Sequence, residues 1–324
     1  MSFPGGTMEI LGLVLPIFGV LLTGLFFAHF KLLPDHTAEI LIQFAFKVAI
    51  PALLIIVIAQ EDVDRLFNLP FIAALGGACL ALYLLILLGG LFFRGQKLGP
   101  ATMLAAVSVA SNSGFIALPI LHTLFGHKAV LPAAIANVIV VCIFLITIAL
   151  LEIAEEREKG EREPILVSVK RVAFNPVIYS TVIGIAWAIT GLPVPKVLAD
   201  YLDVLAAALT PCALFAIGMS IRLDELKKSG PAILFASVVK LIVLPVIVLL
   251  LSQLFGLSPL LAVAAVVAAC VPTAKTTYML ANQYGQKIEP VADTISVTTI
   301  FSVGTMFVWL VLLSHLYPSL FHGG

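Results

Sequence analysis

Apolar stretches of about 20 residues, bounded by charged residues, proline or glycine, recur along the whole chain. They lie at residues 9–29, 37–60, 70–93, 101–125, 128–151, 173–191, 199–220, 230–254, 259–284 and 289–316. Each stretch is long enough for a helix to cross the hydrocarbon layer of a bilayer. The pattern therefore predicts an all-α polytopic membrane protein with ten transmembrane helices, surrounded by lipid.

A hydrophilic segment interrupts this pattern near the middle of the chain. Residues 155–163 read EEREKGERE, and the whole segment is too short to form a domain. We predict a first five-helix repeat at residues 1–151, a solvated linker at 152–172 and a second five-helix repeat at 173–324.

The two predicted repeats resemble each other when one is displaced by 160 residues, or by 159 near the end. The matching positions include Pro16 with Pro176, Gly24 with Gly184, Pro51 with Pro211, Asp64 with Asp224, and Gly126 with Gly285. Because each repeat has an odd number of spans, the second must enter the membrane from the opposite face. Such an inverted repeat is the architecture of many secondary transporters.

Lysine and arginine are distributed unequally between the predicted loops. Twelve lie in loops that follow odd-numbered spans, and only Arg65, Lys128 and Lys196 lie on the opposite side. Since basic loops are retained in the cytoplasm, we predict that both termini are outside and that the central linker is cytoplasmic.

Composition excludes several classes of function. Hydrophobic residues make up 61% of the chain and charged residues 11%, and the net charge of zero gives no reason to expect a nucleic-acid partner. The sequence contains no His-Glu-x-x-His motif, no P-loop and no Cys/His cluster at metal-ligand spacing. We therefore predict a protein that is not an enzyme and that has no metal or cofactor.

Two predicted spans carry unusually polar centres. The fourth contains Ser108–Pro119 and the ninth contains Cys270–Tyr278, at equivalent places in the two repeats. A helix in hydrocarbon can be interrupted only where it is buried in protein or lines a watery cavity, because every backbone N–H and C=O needs a partner. We predict that both helices are interrupted and cross at the bilayer midplane.

The substrate site is predicted where these two segments meet. Helix N-termini and polar side chains there would hold a small organic anion. The predicted substrate-binding residues are Ser111, Asn112, Ser113, Gly114, Pro119, Pro272, Thr273, Lys275, Thr276 and Thr277. The alternative interpretation is that the small residues mark close helix packing and that the prolines only kink the helices.

Charged residues inside spans are functional candidates by default, because a charge in hydrocarbon is costly. Lys275 lies in the interrupted segment, where it would contact a substrate carboxylate or take the place of a coupling cation. Asp293 would neutralise it or take part in proton coupling, unless it lies near the interface. For Lys47 and Lys240 we favour structural roles, in which the amine snorkels or binds carbonyl groups in the scaffold.

Several segments resemble the auxin efflux carrier family, which includes the plant PIN proteins and many bacterial transporters. Asn175–Trp187 is similar to the opening of the sixth helix of that family, and Asn112–Pro119 resembles its fourth helix, with Asn and Pro at the same separation. Pro272 and the Ala281–Tyr284 segment look like its ninth helix.

The resemblance implies a scaffold domain, a transporter domain with crossing helices, elevator-type alternating access and a homodimer. It also implies that Asn112 contacts a substrate carboxylate. Thr277 stands where the plant helix has a second proline, and Leu75 and Cys79 replace an acid and a lysine of the plant third helix. The first departure predicts a gentler break in the ninth helix, and the second argues against auxin as the substrate.

The sequence thus predicts a secondary transporter of small organic anions, mono- or dicarboxylates, in the cell (inner) membrane. One alternative is a sodium-coupled bile-acid-type symporter, which shares the ten-helix plan, although Lys275 argues against a sodium ion at that position. A second alternative is a membrane receptor with a transporter-like fold, which would bind a ligand without flux.

Overall fold

The computed structural model describes residues 16, 19–34, 36–60, 68–159, 176–220 and 230–321. Within these ranges the protein is all-helical, as predicted, and its β-structure is limited to one isolated bridge between Ser111 and Thr273. The start of the predicted first span, most of the predicted linker, Asn175, and the pair Asp64 and Asp224 lie outside the described residues.

The helices are named α1 to α12 in chain order. They are α1 Gly19–His29, α2 Thr37–Ala59, α3 Leu69–Phe93, α4 Leu98–Val109, α5 Ser113–Ala117 continuing as Leu118–Phe125, α6 Val130–Lys159, α7 Pro176–Thr190, α8 Lys196–Met219, α9 Pro231–Leu254, α10 Pro259–Cys270, α11 Thr276–Gln283 and α12 Ile288–Leu316.

Many of these helices have the length and composition of membrane spans. Among the described residues, six helical stretches are long and apolar enough to cross a bilayer, and four shorter apolar helices accompany them. The longest stretch, Ser113–Glu156, is divided at Gly126, whose positive φ of 66° ends α5 before α6 begins. The protein is therefore a multi-pass membrane protein.

Helix α6 is longer than the sequence pattern predicted. It continues to Lys159, eight residues beyond the predicted end of the fifth span. The added residues are mostly Glu, Lys and Arg, which are good helix formers and can project into water. The first part of the predicted linker is thus helical.

Glycines bring two pairs of helices into close contact: α1 packs against α8, and α7 packs against α2. A Cβ atom on Gly24 of α1 would come within 2.1 Å of the carbonyl oxygen of Phe215 in α8. A Cβ on Gly184 of α7 would come within 2.8 Å of the Ile58 side chain in α2. Small residues allow such close approach of membrane helices. The α1–α8 and α7–α2 contacts therefore use glycines that the 160-residue displacement aligns.

Helices α4 and α10 form the buried centre of a second group. Residues 262–270 of α10 are all buried, and α10 packs against α9, α12 and α6. Helix α4 packs against α3 and α6. The alanine-rich sequence of α10 suits this position, because small side chains let several helices approach it at once.

Glycines also end the helical segment that follows each interruption. Gly126 after α5 and Gly285 after α11 have positive φ values of 66° and 59°, which glycine adopts more readily than any other residue. We expect Gly126→Ala to lower the free energy of unfolding by about 1 kcal/mol, because alanine is strained there although the space is open.

A matched control for this change is Gly304→Ala in the interior of α12. Its added Cβ would also meet open space, but the backbone there is ordinary helix. Alanine should stabilise that position by up to about 1 kcal/mol. Thermal unfolding of both purified variants measures the difference, and an equal shift in both would contradict the backbone argument.

Candidate functional site

The two interrupted helices meet at their breaks. Helix α4 ends at Val109 and α5 begins at Ser113, while α10 ends at Cys270 and α11 begins at Thr276. The Asn112 N–H donates to the Pro272 carbonyl at 2.9 Å, and the Ala274 N–H donates to the Ala110 carbonyl at 2.9 Å. These reciprocal bonds form the Ser111–Thr273 bridge and satisfy backbone groups that the breaks release.

Two threonine hydroxyls complete the backbone pairing around the bridge. The Thr273 hydroxyl donates to the Val107 carbonyl at 2.7 Å, and the Thr273 N–H donates to Oγ1 of Thr298 in α12 at 3.2 Å. The Thr277 hydroxyl donates to the Ala274 carbonyl at 2.7 Å. Both side chains are fully buried, so they hold the breaks in place.

The breaks bring helix ends of both signs to the junction. The C-terminal ends of α4 and α10 bring partial negative charge, and the N-terminal ends of α5 and α11 bring partial positive charge. Asn112 and Lys275 occupy the residue before each N-terminal end. The positive ends thus carry an amide and an ammonium group beside them.

A cavity of about 730 Å³ lies against the junction. Six of the predicted site residues line it: Ser111, Asn112, Ser113, Gly114, Lys275 and Thr276. The other predicted residues do not line it. Pro119 is buried in α5 and Pro272 is buried in the junction. The hydroxyl groups of Thr273 and Thr277 donate to backbone carbonyls. Asp293 lies on α12, outside the described lining of this cavity.

The opposite wall of the cavity comes from α2, α6 and α8. It includes Glu39 and Gln43 near the start of α2, where the Gln43 amide donates to Glu39 at 3.3 Å. Met219 and Ser220 at the end of α8 complete it. Among the described lining residues, Glu39 and Lys275 are the charged ones, and they lie on different walls.

Asn137, which is not among the residues predicted from the sequence, lines the same cavity from α6. Gly114 packs against it so closely that a Cβ there would come within 3.1 Å of Oδ1 of Asn137. Two asparagines, one directly before α5 and one in α6, therefore line the same cavity. The signal in the sequence was a lone amide within the apolar stretch 128–151.

Lys240 of α9 lies behind the junction, away from the described lining of the cavity. It is fully buried, and its ammonium group donates to Oγ of Ser111 at 2.8 Å and to the Ala269 carbonyl. Lys240 therefore binds a carbonyl group, as predicted, but at the junction rather than in the scaffold.

The first part and middle of α5 pack closely against neighbouring helices, mostly through apolar side chains. Ile116 and Ile120 pack against Leu21, Leu214 and Met306, leaving a space of only about 10 Å³. Within the described residues, no three His, Cys, Asp or Glu side chains lie close enough together to hold a metal ion. The cavity lining offers hydrogen-bonding groups, the ammonium group of Lys275 and the carboxylate of Glu39.

A multi-pass helical fold with two broken helices, whose breaks bring polar side chains to a largely apolar cavity, is typical of membrane transporters. The family model described as "Membrane transport protein" matches residues 9–310. The chain belongs to this family, and the prediction of an auxin efflux carrier-like transporter that is not an enzyme is confirmed.

Three relatives illustrate the family. A Rhizobium meliloti protein named "Putative malonate transporter" is 32% identical over 92% of this chain and 94% of its own length. An uncharacterized transporter of Methanocaldococcus jannaschii is 25% identical over 91% of this chain and 96% of its own. Auxin efflux carrier component 5 of Arabidopsis thaliana is 29% identical, over 40% of this chain and 41% of its own length.

Proposed function

We propose that this transporter carries small organic anions, mono- or dicarboxylates, through the cavity at the junction of its broken helices. The observation that carries the proposal is the arrangement of Asn112 and Lys275. Each lies at the N-terminal end of a helix that starts at the junction, and both line the same cavity. A carboxylate between them would meet an ammonium group, an amide and two positive helix ends.

The cavity has room and chemistry for a small substrate. Its volume of about 730 Å³ lies within the usual range of ligand sites. Asn137 and the hydroxyls of Ser113 and Thr276 add hydrogen-bonding groups, and the Ser113 hydroxyl has no partner within the described residues. A dicarboxylate such as malonate fits this set, and malonate is the substrate in the name of the Rhizobium meliloti relative.

The proposal includes ten spans in two inverted repeats, residues 1–151 and 173–324, separated by a linker. Three pairs of equivalent features support it. The junction bonds are reciprocal, the glycines that end α5 and α11 both have a positive φ, and Gly24 and Gly184 both lie in close helix contacts. An inverted repeat produces such pairing, because its halves are related by a two-fold axis in the membrane plane.

The proposal also includes elevator-type alternating access, in which one group of helices moves against another. In the proposal, the glycine-packed group of α1, α2, α7 and α8 is the scaffold, and the group built around α4 and α10 moves with the substrate. With both termini outside, the start of α2 and the end of α8 face the cytoplasm. The cavity lined by Glu39 and Ser220 then opens inward, and the Ile116–Ile120 packing closes the outer side.

Uptake by the purified protein in proteoliposomes tests the proposal. We expect uptake of radiolabelled malonate, competed by unlabelled mono- and dicarboxylates but not by choline or neutral sugars. A thermal-shift screen of the same compounds identifies the preferred carboxylate. Binding without uptake would favour a receptor, and neither binding nor uptake of any carboxylate would refute the proposal. Light scattering of the purified protein tests the homodimer that belongs to it.

A further inference from the structure

Lys240 is a buried charge that the proposed carboxylate site does not use. It lies in the π-helical turn Val239–Val243 of α9 and is fully buried. Its ammonium group donates to the Ser111 hydroxyl at 2.8 Å and to the Ala269 carbonyl, near the C-terminal end of α10. The thiols of Cys79 and Cys270 interact with it electrostatically.

The positive charge of Lys240 is balanced by dipoles. Within the described residues, no carboxylate pairs with it, and a lone buried ammonium group is strongly disfavoured unless its surroundings stabilise it. The C-terminal end of α10 supplies partial negative charge, and a carbonyl and a hydroxyl oxygen coordinate the ammonium group. These are the ligands of a bound monovalent cation.

In carriers with inverted repeats, the C-terminal ends and freed carbonyls of interrupted helices coordinate the coupling cation, while the N-terminal ends hold the anionic substrate. The junction of this chain separates these roles in the same way. Lys275 and Asn112 lie on the side of the cavity, and Lys240 lies at the carbonyl end. The ammonium group of Lys240 therefore occupies the place of a cation.

We propose that Lys240 is a tethered cation, fixed by the chain at the junction, and that transport consequently needs no sodium or potassium ion. The proposal rests on the proposed carboxylate transport. Ser111 connects the two sites, because its hydroxyl accepts from Lys240 while its residue lines the cavity. Lys240 is thus a positioning residue, which holds the junction in its binding geometry without touching the substrate.

The first test uses the unmodified protein. Malonate uptake into proteoliposomes is measured with sodium, potassium or N-methylglucamine as the only added cation. We expect equal rates in all three, because the cation position is already filled. A requirement for sodium or potassium would overturn the proposal.

The second test removes the tether. Lys240→Ala should lower uptake about tenfold or more, because the carbonyl end of α10 and Ser111 lose their cation. n-Propylammonium matches the atoms removed beyond Cβ, and it should restore part of the uptake and of the thermal stability, whereas 1-propanol should not. The matched control is Lys47→Ala, since Lys47 also lies in a π-helical turn but is exposed.

Full uptake by Lys240→Ala, or equal rescue by the alcohol, would contradict the tethered cation. If Lys240→Ala fails to fold, Lys240→Gln replaces it, because glutamine keeps two hydrogen-bond donors without the charge. Normal uptake by Lys240→Gln would also contradict the tethered cation. If the unmodified protein takes up no carboxylate, the proposed function fails. The tether is then judged by thermal unfolding of Lys240→Ala with and without n-propylammonium, which requires no substrate.

Discussion

Lys275→Gln is expected to reduce carboxylate uptake about 10- to 100-fold, because a hydrogen bond to a charged group contributes about 1.5–3 kcal/mol. Lys275 is the basic residue among the described lining of the cavity, and it lies directly before the N-terminal end of α11. Glutamine retains hydrogen-bonding capacity and similar length, so the change removes mainly the charge. The effect should therefore be larger for a dicarboxylate than for a neutral analogue.

The measurement is the apparent affinity for malonate, by thermal shift and by uptake in proteoliposomes. Lys47→Gln is the matched control, since Lys47 is an exposed lysine of α2 that does not line the cavity within the described residues. Asn112→Ala removes the second predicted contact and should weaken binding about tenfold. If Lys275→Gln and Asn112→Ala each left binding and uptake unchanged, the proposed substrate site would be wrong.

The location of the junction could be predicted because its sequence breaks a strong rule. Polar residues and prolines in the middle of long apolar stretches release backbone groups that need partners. Residues 110–112 and 271–275 are the segments where the helices end, and they pair with each other. The pairing also explains why only part of the predicted set reaches the cavity, since Thr273 and Thr277 direct their hydroxyls to backbone carbonyls.

The contacts made by Lys240 and Asn137 could not be predicted in the same way. Helices such as α4 and α10 are apolar on all sides, so their sequences do not indicate which face meets which neighbour. The bond between Lys240 and Ser111 joins residues 129 positions apart. Such a contact depends on how α4, α5, α9 and α10 pack around the junction. A single sequence contains no pattern that identifies it.

The glycine contacts between the halves lead to the prediction with the largest effect on stability. Gly24→Ala places a Cβ within 2.1 Å of the Phe215 carbonyl oxygen and within 3.1 Å of the Met219 amide nitrogen. Both atoms belong to the backbone of α8, so α1 and α8 must move apart. Overpacking of this kind should lower the free energy of unfolding by about 3 kcal/mol, and by more if the two helices separate.

Gly19→Ala is the matched control, because Gly19 lies in the same helix and an added Cβ there would meet open space. It should be neutral or stabilise the protein by up to about 1 kcal/mol through its higher helix propensity. Thermal unfolding of both variants in detergent, followed by the fluorescence of Trp187 and Trp309, separates the two effects. Because α1 and α8 belong to different halves of the chain, equal stability of the two variants would show that close α1–α8 packing does not hold the halves together.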